Sequence, residues 1–138
     1  SKQVVALCGD GGFQMTLGDL STAVKYQLPI TVVIFNNFAY HFIELEQLKE
    51  GVAQCYTKLN NPDYAKMADA FGAKGYSVKK SCELESALAS ALSEKVVSVV
   101  DVHVDPNELI MPTKLTTSMI LMTAESMVKT HFSKKKNT

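Results

Sequence analysis

The sequence predicts an α/β fold: a three-layer α/β/α arrangement around a mostly parallel sheet. Residues 3–8 (QVVALC) and 30–35 (ITVVIF) are short β-branched apolar runs, and both are predicted to be buried strands. The segment between them has helical periodicity. The order is therefore strand, helix, strand, which is the unit from which parallel sheets are built.

The first predicted helix lies between these two strands. Its apolar residues recur at helical spacing, at Leu17, Leu20, Ala23 and Val24. Thr16 and Asp19 have the spacing of a capping box, and Pro29 closes the segment. A strand, helix, strand unit is nearly always a right-handed crossover between parallel strands, so the carboxyl ends of both strands should face one edge of the sheet.

Polar residues follow both strands at that edge. Asp10 lies in the sequence Gly-Asp-Gly and Asn37 is the second of two asparagines, so we expect them to share the crevice where open α/β sheets bind ligands. Gly11 and Gly12 allow backbone N–H groups to approach an anion, whereas the Asp10 carboxylate would repel a bare phosphate. A divalent cation between them removes the conflict, because carboxylate and amide oxygens are hard ligands that suit Mg²⁺. Gly-Asp-Gly alone indicates an ordinary turn, but together with Asn37 it predicts a magnesium diphosphate site.

The rest of the chain continues the alternation of helices and strands. The pattern predicts a helix over 38–49 that begins at the crevice, a loop over 49–61, a helix over 62–71 ended by Gly72, a strand over 76–78, a helix over 84–92, a strand over 96–104, a connector over 106–112 and a helix over 116–132. At least four strands are expected. Residues 1–132 are predicted to form one domain, incomplete at its N-terminal side, and residues 133–138 a basic polar tail.

Composition argues against several classes of protein. The chain has 138 residues with 14 basic and 14 acidic side chains, so no overall charge favours nucleic acid or an anionic membrane. The apolar runs are far shorter than the roughly 20 residues of a transmembrane helix, and no leader is seen, so a cytoplasmic protein is expected. Three widely spaced cysteines argue against a zinc site and indicate free thiols in a reduced compartment.

Two longer stretches resemble the thiamin-diphosphate-dependent enzymes. GDGGFQMTLGDLSTAVKYQLPITVVIFNN over residues 9–37 begins and ends as the cofactor motif of that family does, and NPDYAKMADAFGAKG over 61–75 is equally typical. Both are similar to the pyruvate oxidase and acetolactate synthase group, and FIELEQ over 42–47 resembles pyruvate oxidase more. The resemblance implies the C-terminal domain of a pyruvate oxidase-like enzyme, which binds Mg²⁺ and the cofactor diphosphate.

The resemblance also assigns roles to residues. It implies that Asp10, the Asn37 side chain and the Ala39 carbonyl bind Mg²⁺, and that Gly11 and Gly12 contact the diphosphate. The cofactor would lie along the turn and helix start that contain Tyr40, His41, Phe42 and Ile43. Glu46 matches an acidic residue near the substrate and is the one catalytic candidate. His41 departs from the family, because relatives commonly have glycine there.

For the whole enzyme, the resemblance implies oxidative decarboxylation of pyruvate in a homo-oligomer. Electrons would pass to FAD, whose site belongs to parts of the enzyme outside this chain, and the chain alone is expected to be inactive. An acetolactate synthase-type carboligase, a non-catalytic phosphate-binding α/β module and a structural remnant remain as alternatives.

Several residues also have plainer interpretations. Glu46 is equally interpreted as one of the solvated charges of a helix that carries Glu44 and Glu50. His41 is interpreted as structural, and His103, within a strand, suggests no site. Asn61 repeats the Asn-Asn pattern but follows no strand and precedes a proline, so it is predicted to be a turn residue and helix cap.

Overall fold

A computed structural model describes residues 3–106, 108 and 116–136, the last four of these by their backbone alone. The strands are β1 (Val4–Gly9), β2 (Ile30–Asn36), β3 (Lys74–Val78) and β4 (Ser98–His103). The helices are α1 (Asp10–Met15), α2 (Asp19–Lys25), α3 (His41–Lys49), α4 (Tyr64–Ala70), α5 (Leu84–Ser93) and α6 (Thr117–Lys136). The chain divides into two compact units, Ser1–Phe38 with Asn60–Asp105 and Ala39–Leu59 with Pro106–Thr138.

The first unit contains the sheet. Its four strands have the order β1-β2-β4-β3, and every neighbouring pair is parallel. Gly9 is opposite Phe35, and Asn36 is opposite His103, so the carboxyl ends of β1, β2 and β4 align at one edge. The predicted parallel sheet is confirmed, and residues that follow these strands are brought to a common edge.

Helices cover both faces of this sheet. On one face Phe13, Leu20 and Tyr64, from α1, α2 and α4, pack with Ile34 and Val99. The other face has Val33, Val78 and Val100 packed with Ala91 of α5. Successive residues of a strand point to opposite faces, which explains why Ile34 and Val33 belong to different clusters. These layers confirm the predicted α/β/α fold class.

A glycine allows α4 to lie directly on β3. A Cβ atom at Gly75 would be 1.9 Å from the carbonyl oxygen of Ala65, so no larger residue fits without backbone movement. The backbone N–H of Gly75 also donates to Asp69 Oδ1 at 2.9 Å. This close approach positions the start of α4, which contributes to the site described below.

The prediction that β1 is buried is wrong. Val4, Val5 and Leu7 are about half exposed or more, at 49%, 48% and 67%. The reason is topological, since β1 is one of the two edge strands and pairs only with β2 among the described strands. Periodicity cannot distinguish a central strand from an edge strand when both have the same apolar composition.

The predicted helix between β1 and β2 consists of two helices, and its predicted capping box is absent. The N-cap position of α2 is Gly18, which has no side chain, and the Thr16 hydroxyl is instead directed back to the carbonyls of Gly12 and Phe13 at 3.4 Å. α1 begins at Asp10, well before the Thr16 capping position that was predicted to start the helix. The Gly-Asp-Gly sequence is therefore a strand end followed at once by a helix.

Other boundaries shift by a few residues. α3 begins at His41 rather than at residue 38, because Phe38 has φ +60°, which is incompatible with a right-handed helix. Gly72 ends the region of α4 with φ +86°, as predicted. α6 continues to Lys136, past the predicted end, so the first part of the predicted tail is helical backbone. The predicted connector over 106–112 lies largely outside the described residues.

The second unit is built on the contact between α3 and α6. Backbone groups that follow α3 are bound by side chains of α6. Lys129 Nζ donates to the Gly51 carbonyl at 2.9 Å, and Thr130 Oγ1 accepts from the Gln54 N–H at 2.9 Å. Gly51 has φ +65°, which allows the chain to reverse after α3. No helix in the described part of the chain is long and apolar enough to cross a membrane.

Candidate functional site

Asp10 is the buried centre of the candidate site. It follows β1 directly and is only 3% exposed. Its Oδ1 accepts from the Gly11 N–H at 2.9 Å, and its Oδ2 accepts from the Phe38 N–H at 2.8 Å. Phe38 is the residue after Asn37, so the structure brings the two predicted strand ends together, as the parallel crossover predicted.

Phe38 holds this turn in an unusual conformation. Its φ of +60° is in the left-handed region, which costs a bulky residue about 1–2 kcal/mol. Two contacts stabilise it: the N–H bond to Asp10, and an edge-to-face contact of its ring with His103 at 5.3 Å between ring centres. The backbone conformation of Phe38 is therefore set by tertiary contacts rather than by local preference.

Asn61 is a site residue that sequence reasoning missed. Its Nδ2 is 2.6 Å from Asp10 Oδ2 and 2.9 Å from Asn36 Oδ1. The prediction that it caps a helix is wrong, because Asp63 caps α4 by accepting the Lys66 N–H. A signal was available in the resemblance, since the stretch that begins at Asn61 is as typical of the family as the stretch that contains Asp10.

Asp101 lies behind these amides and was also missed. It is 1% exposed, its Oδ1 accepts from Asn36 Nδ2 at 2.9 Å, and its carboxylate accepts the backbone N–H of Tyr64. His103 Nε2 is 3.6 Å from the other oxygen, Oδ2. Burial raises the pKa of Asp101, although the bond from Asn36 acts in the opposite direction. An acidic residue inside the β-branched run VVDVH was the available signal.

The remaining predicted residues of the first unit are Gly11, Gly12 and Asn37. Gly11 is buried, and its N–H donates to Asp10. Gly12 is exposed, and a Cβ atom there would meet nothing within 4 Å, so a side chain at this position would project into open space. Asn37 is half-buried.

The donors of this unit fit a hard cation. A buried carboxylate and amide oxygens are suitable ligands for Mg²⁺, which takes few protein groups and completes its shell with phosphate and water. Asn61 Oδ1 is buried without a hydrogen-bond partner in the described structure, so the site has unmet polar capacity. The described ranges contain no cluster of three or more His, Cys, Asp or Glu side chains that could hold a metal ion. A cation here would therefore depend on amide oxygens, phosphate and water for its other ligands.

The other predicted site residues belong to the second unit. Ala39 is buried and forms an isolated antiparallel bridge with Lys58, and the Tyr40 N–H donates to the Thr57 carbonyl at 2.8 Å. Phe42 and Ile43 are exposed, at 70% and 51%. Their roles along a cofactor, and that of Ala39 as a metal ligand, stay predictions.

Glu46 and Glu44 of α3 differ sharply. Glu46 is exposed and pairs with Lys49 at 2.6 Å, in keeping with its interpretation as a solvated charge. Glu44 was given the same interpretation, which is wrong: it is 7% exposed, accepts from the Thr57 hydroxyl at 2.8 Å and pairs with Lys58 at 3.0 Å. Burial alone would raise the pKa of Glu44, but these partners outweigh it and lower the pKa.

His41 lies beside Glu44, with Nδ1 3.3 Å from Glu44 Oε2. Its side chain is 12% exposed. Both residues line a cavity of about 500 Å³ within the second unit, together with Thr57, Lys58 and Met127. His41 is thus part of a polar cluster on the inner side of α3.

Comparison with known proteins supplies the family. Residues 1–102 match the model of the thiamine pyrophosphate enzyme C-terminal TPP-binding domain, TPP being thiamin diphosphate. The chain is 46% identical over 135 residues to YdaP of Bacillus subtilis (strain 168), a protein named as thiamine pyrophosphate-containing, covering 98% of this chain and 23% of that one. It is 36% identical over 118 residues to the acetolactate synthase large subunit of Haemophilus influenzae (strain ATCC 51907 / DSM 11121 / KW20 / Rd), covering 81% and 20%.

Solved structures agree with the sequence comparison. The benzoylformate decarboxylase of Polynucleobacter necessarius superposes with a TM-score of 0.75 at 29% identity, covering 80% of this chain and 21% of that chain. The chain thus spans only about a fifth of the length of these relatives. The buried aspartate after β1, its contact with the turn after β2 and the match over residues 1–102 lead to one conclusion. The chain belongs to the thiamine pyrophosphate enzymes and forms their C-terminal TPP-binding domain.

Proposed function

We propose that this chain binds the diphosphate of thiamin diphosphate through Mg²⁺, held by the Asp10 carboxylate, the Asn37 side chain and the Ala39 carbonyl. The observation that carries the proposal is the 2.8 Å bond from the Phe38 N–H to Asp10 Oδ2, which ties the carboxylate to the residue that follows Asn37. Two hard oxygen donors are thereby joined at the carboxyl edge of a parallel sheet, where ligands bind in such folds.

Charge explains why a cation is needed. Asp10 is 3% exposed, so its carboxylate has little water to screen it from a diphosphate nearby. Mg²⁺ between the two anions converts repulsion into attraction, and its preferred octahedral shell leaves positions for phosphate oxygens and water. Gly11 and Gly12 keep side chains away from this approach. The bound cofactor supplies the carbon chemistry, and these residues supply its position.

For the whole enzyme we propose a pyruvate oxidase-like reaction. Support comes from the FIELEQ sequence over 42–47, which places Glu46 where an acidic residue lies near the substrate in the family it resembles. Pyruvate would be the substrate, FAD the electron acceptor bound elsewhere in the enzyme, and the assembly a homo-oligomer. Glu46 is exposed on α3 in this unit.

A second candidate is a carboligase of the acetolactate synthase type. It is favoured by the 36% identity to the acetolactate synthase large subunit of Haemophilus influenzae over 118 residues. Both reactions would use the same metal site, so the metal site does not distinguish an oxidase from a carboligase. Products from pyruvate distinguish them: acetate or acetyl phosphate indicates the oxidase, and acetolactate indicates the carboligase.

A calorimetric titration tests the metal site. Thiamin diphosphate is titrated into the complete protein that contains this chain, with and without Mg²⁺, and into the variants Asp10→Ala and Asn37→Ala. Binding should require Mg²⁺ and fall at least about tenfold in both variants, because loss of even an outer-shell partner of a metal ligand typically weakens binding about 10- to 100-fold. Asn60→Ala, in the exposed neighbour of Asn61, is the matched control and should bind normally.

The same titration separates the remaining alternatives. Equally tight binding of a nucleoside diphosphate would indicate a general phosphate-binding module rather than a thiamin diphosphate site. Unchanged binding in Asp10→Ala and Asn37→Ala would contradict the assignment of the metal ligands.

A further inference from the structure

We propose that Asn61 determines which oxygen of Asp10 a divalent cation can use, and that it thereby favours Mg²⁺ over Ca²⁺. The inference deepens the proposed function and rests on it. Asn61 is a positioning residue in this scheme, because it acts through Asp10 and not on the cofactor. Neither the family match nor the relatives named above assign it a role.

The first step concerns the two oxygens of the Asp10 carboxylate. Each carboxylate oxygen can accept about two hydrogen bonds. Oδ2 has two donors, the Phe38 N–H at 2.8 Å and Asn61 Nδ2 at 2.6 Å, so its capacity is filled. Oδ1 has one donor, the Gly11 N–H at 2.9 Å. Of the two oxygens, Oδ1 is therefore the one with capacity left for a cation.

The second step concerns the orientation of the Asn61 amide. Asp101 accepts from Asn36 Nδ2 at 2.9 Å, so the carbonyl oxygen of Asn36 faces the other way. That oxygen accepts from Asn61 Nδ2 at 2.9 Å, and the same nitrogen donates to Asp10. An amide nitrogen has two protons, and both are used. The network therefore directs the donor side of Asn61 to Asp10 and prevents it from turning.

The third step is the coordination chemistry. Mg²⁺ requires near-ideal octahedral geometry and is usually bound through one or two carboxylates, whereas Ca²⁺ takes six to eight oxygens and accepts carboxylates as bidentate ligands. With Oδ2 filled, Asp10 can offer a single oxygen. This suits Mg²⁺ and withholds from Ca²⁺ one of the additional oxygens that it would use.

The test compares two metals in the complete protein that contains this chain. Mg²⁺ and Ca²⁺ are titrated separately in the presence of thiamin diphosphate, into the wild type and into Asn61→Ala. The variant frees a position on Oδ2 for a cation, so the ratio of Mg²⁺ affinity to Ca²⁺ affinity should fall. We expect a change of about tenfold, the lower end of the effect of removing a residue that hydrogen-bonds to a metal ligand. Asn60→Ala is the matched control and should keep the wild-type ratio.

A second variant guards against simple loss of folding. Asn61→Leu keeps the approximate shape of the side chain without a charge and cannot donate to Asp10, and it should lower the ratio in the same direction. If both variants weaken the two metals equally, Asn61 is only structural and the inference is wrong. An unchanged ratio with unchanged affinities also overturns it. If the wild type needs no metal to bind thiamin diphosphate, the proposed function fails first, and that result is distinct from a ratio that does not change.

Discussion

The backbone N–H of Phe38 donates to Asp10 Oδ2 across 28 positions of sequence, and it does so from a residue with φ +60°. The bond joins the ends of β1 and β2 and fixes the turn that contains Asn37. Because the left-handed conformation is unfavourable for a bulky side chain, this turn stores strain next to the carboxylate that we assign to the metal.

The conformation of Phe38 leads to a prediction about stability. Phe38→Ile places a β-branched residue at positive φ and should lower the free energy of unfolding by about 1–2 kcal/mol, whereas Phe38→Asn, which tolerates this region, should cost less. Denaturant unfolding of both variants measures the difference. Equal losses in the two variants would mean that the ring contact with His103, and not the backbone, determines the effect.

The close approach at Gly75 predicts a large loss from a single methyl group. Gly75→Ala would place Cβ 1.9 Å from the Ala65 carbonyl oxygen, so α4 must move away from β3. We expect the free energy of unfolding to fall by about 3 kcal/mol or more, at the upper end of overpacking effects. Gly18→Ala is the control, because a Cβ there meets nothing within 4 Å. A thermal melt that shows similar losses for both would contradict the packing argument.

The buried Glu44 predicts a loss of stability in acid. Its pKa is lowered from the ordinary glutamate value of 4.5, because hydrogen bonds from Thr57 and Lys58 outweigh its burial. Because the folded pKa is lowered, the contribution of Glu44 to the free energy of unfolding is present above pH 4.5 and is lost as the pH falls through the folded pKa. Denaturant unfolding from pH 6 to about pH 3 should therefore show a smaller acid loss in Glu44→Gln than in the wild type. Glu46→Gln, in an exposed residue of the same helix, is the control for removing one negative charge from α3.

Asp101 predicts a pH dependence of the opposite sign. Burial raises its pKa above 3.8, so its contribution to stability is complete below that pH and is lost as the pH rises through the folded pKa. The free energy of unfolding of Asp101→Asn should therefore rise relative to that of the wild type as the pH increases from acid to neutral. Asp63→Asn is the comparison, because the hydrogen bond from the Lys66 N–H lowers the pKa of Asp63. The free energy of unfolding of Asp63→Asn should fall relative to that of the wild type as the pH increases from acid to neutral. Parallel curves for Asp101→Asn and the wild type would contradict the prediction.

Local pattern in the sequence was sufficient for the strands, for most of the helices and for the outline of the site. Alternation and β-branched runs predicted the strands, and the strand, helix, strand order predicted their parallel pairing, which the register of Gly9 with Phe35 confirms. Asp10 and the turn after Asn37 follow from that pairing alone, because parallel neighbours end at the same edge. These inferences need only short-range periodicity and one topological rule.

Tertiary structure decided what periodicity cannot show. Asn61 is 51 positions from Asp10, and Asp101 is 65 positions from Asn36, so their bonds depend on how α4 and β4 are placed and not on any local signal. The same holds for the exposure of β1, which depends on its edge position, and for the burial of Glu44 beside Thr57. The sequence by itself determined the fold class and the carboxylate at the sheet edge. The packing of distant segments determined which amides hold that carboxylate, because hydrogen bonds between residues far apart form only when the whole sheet and its helices are assembled.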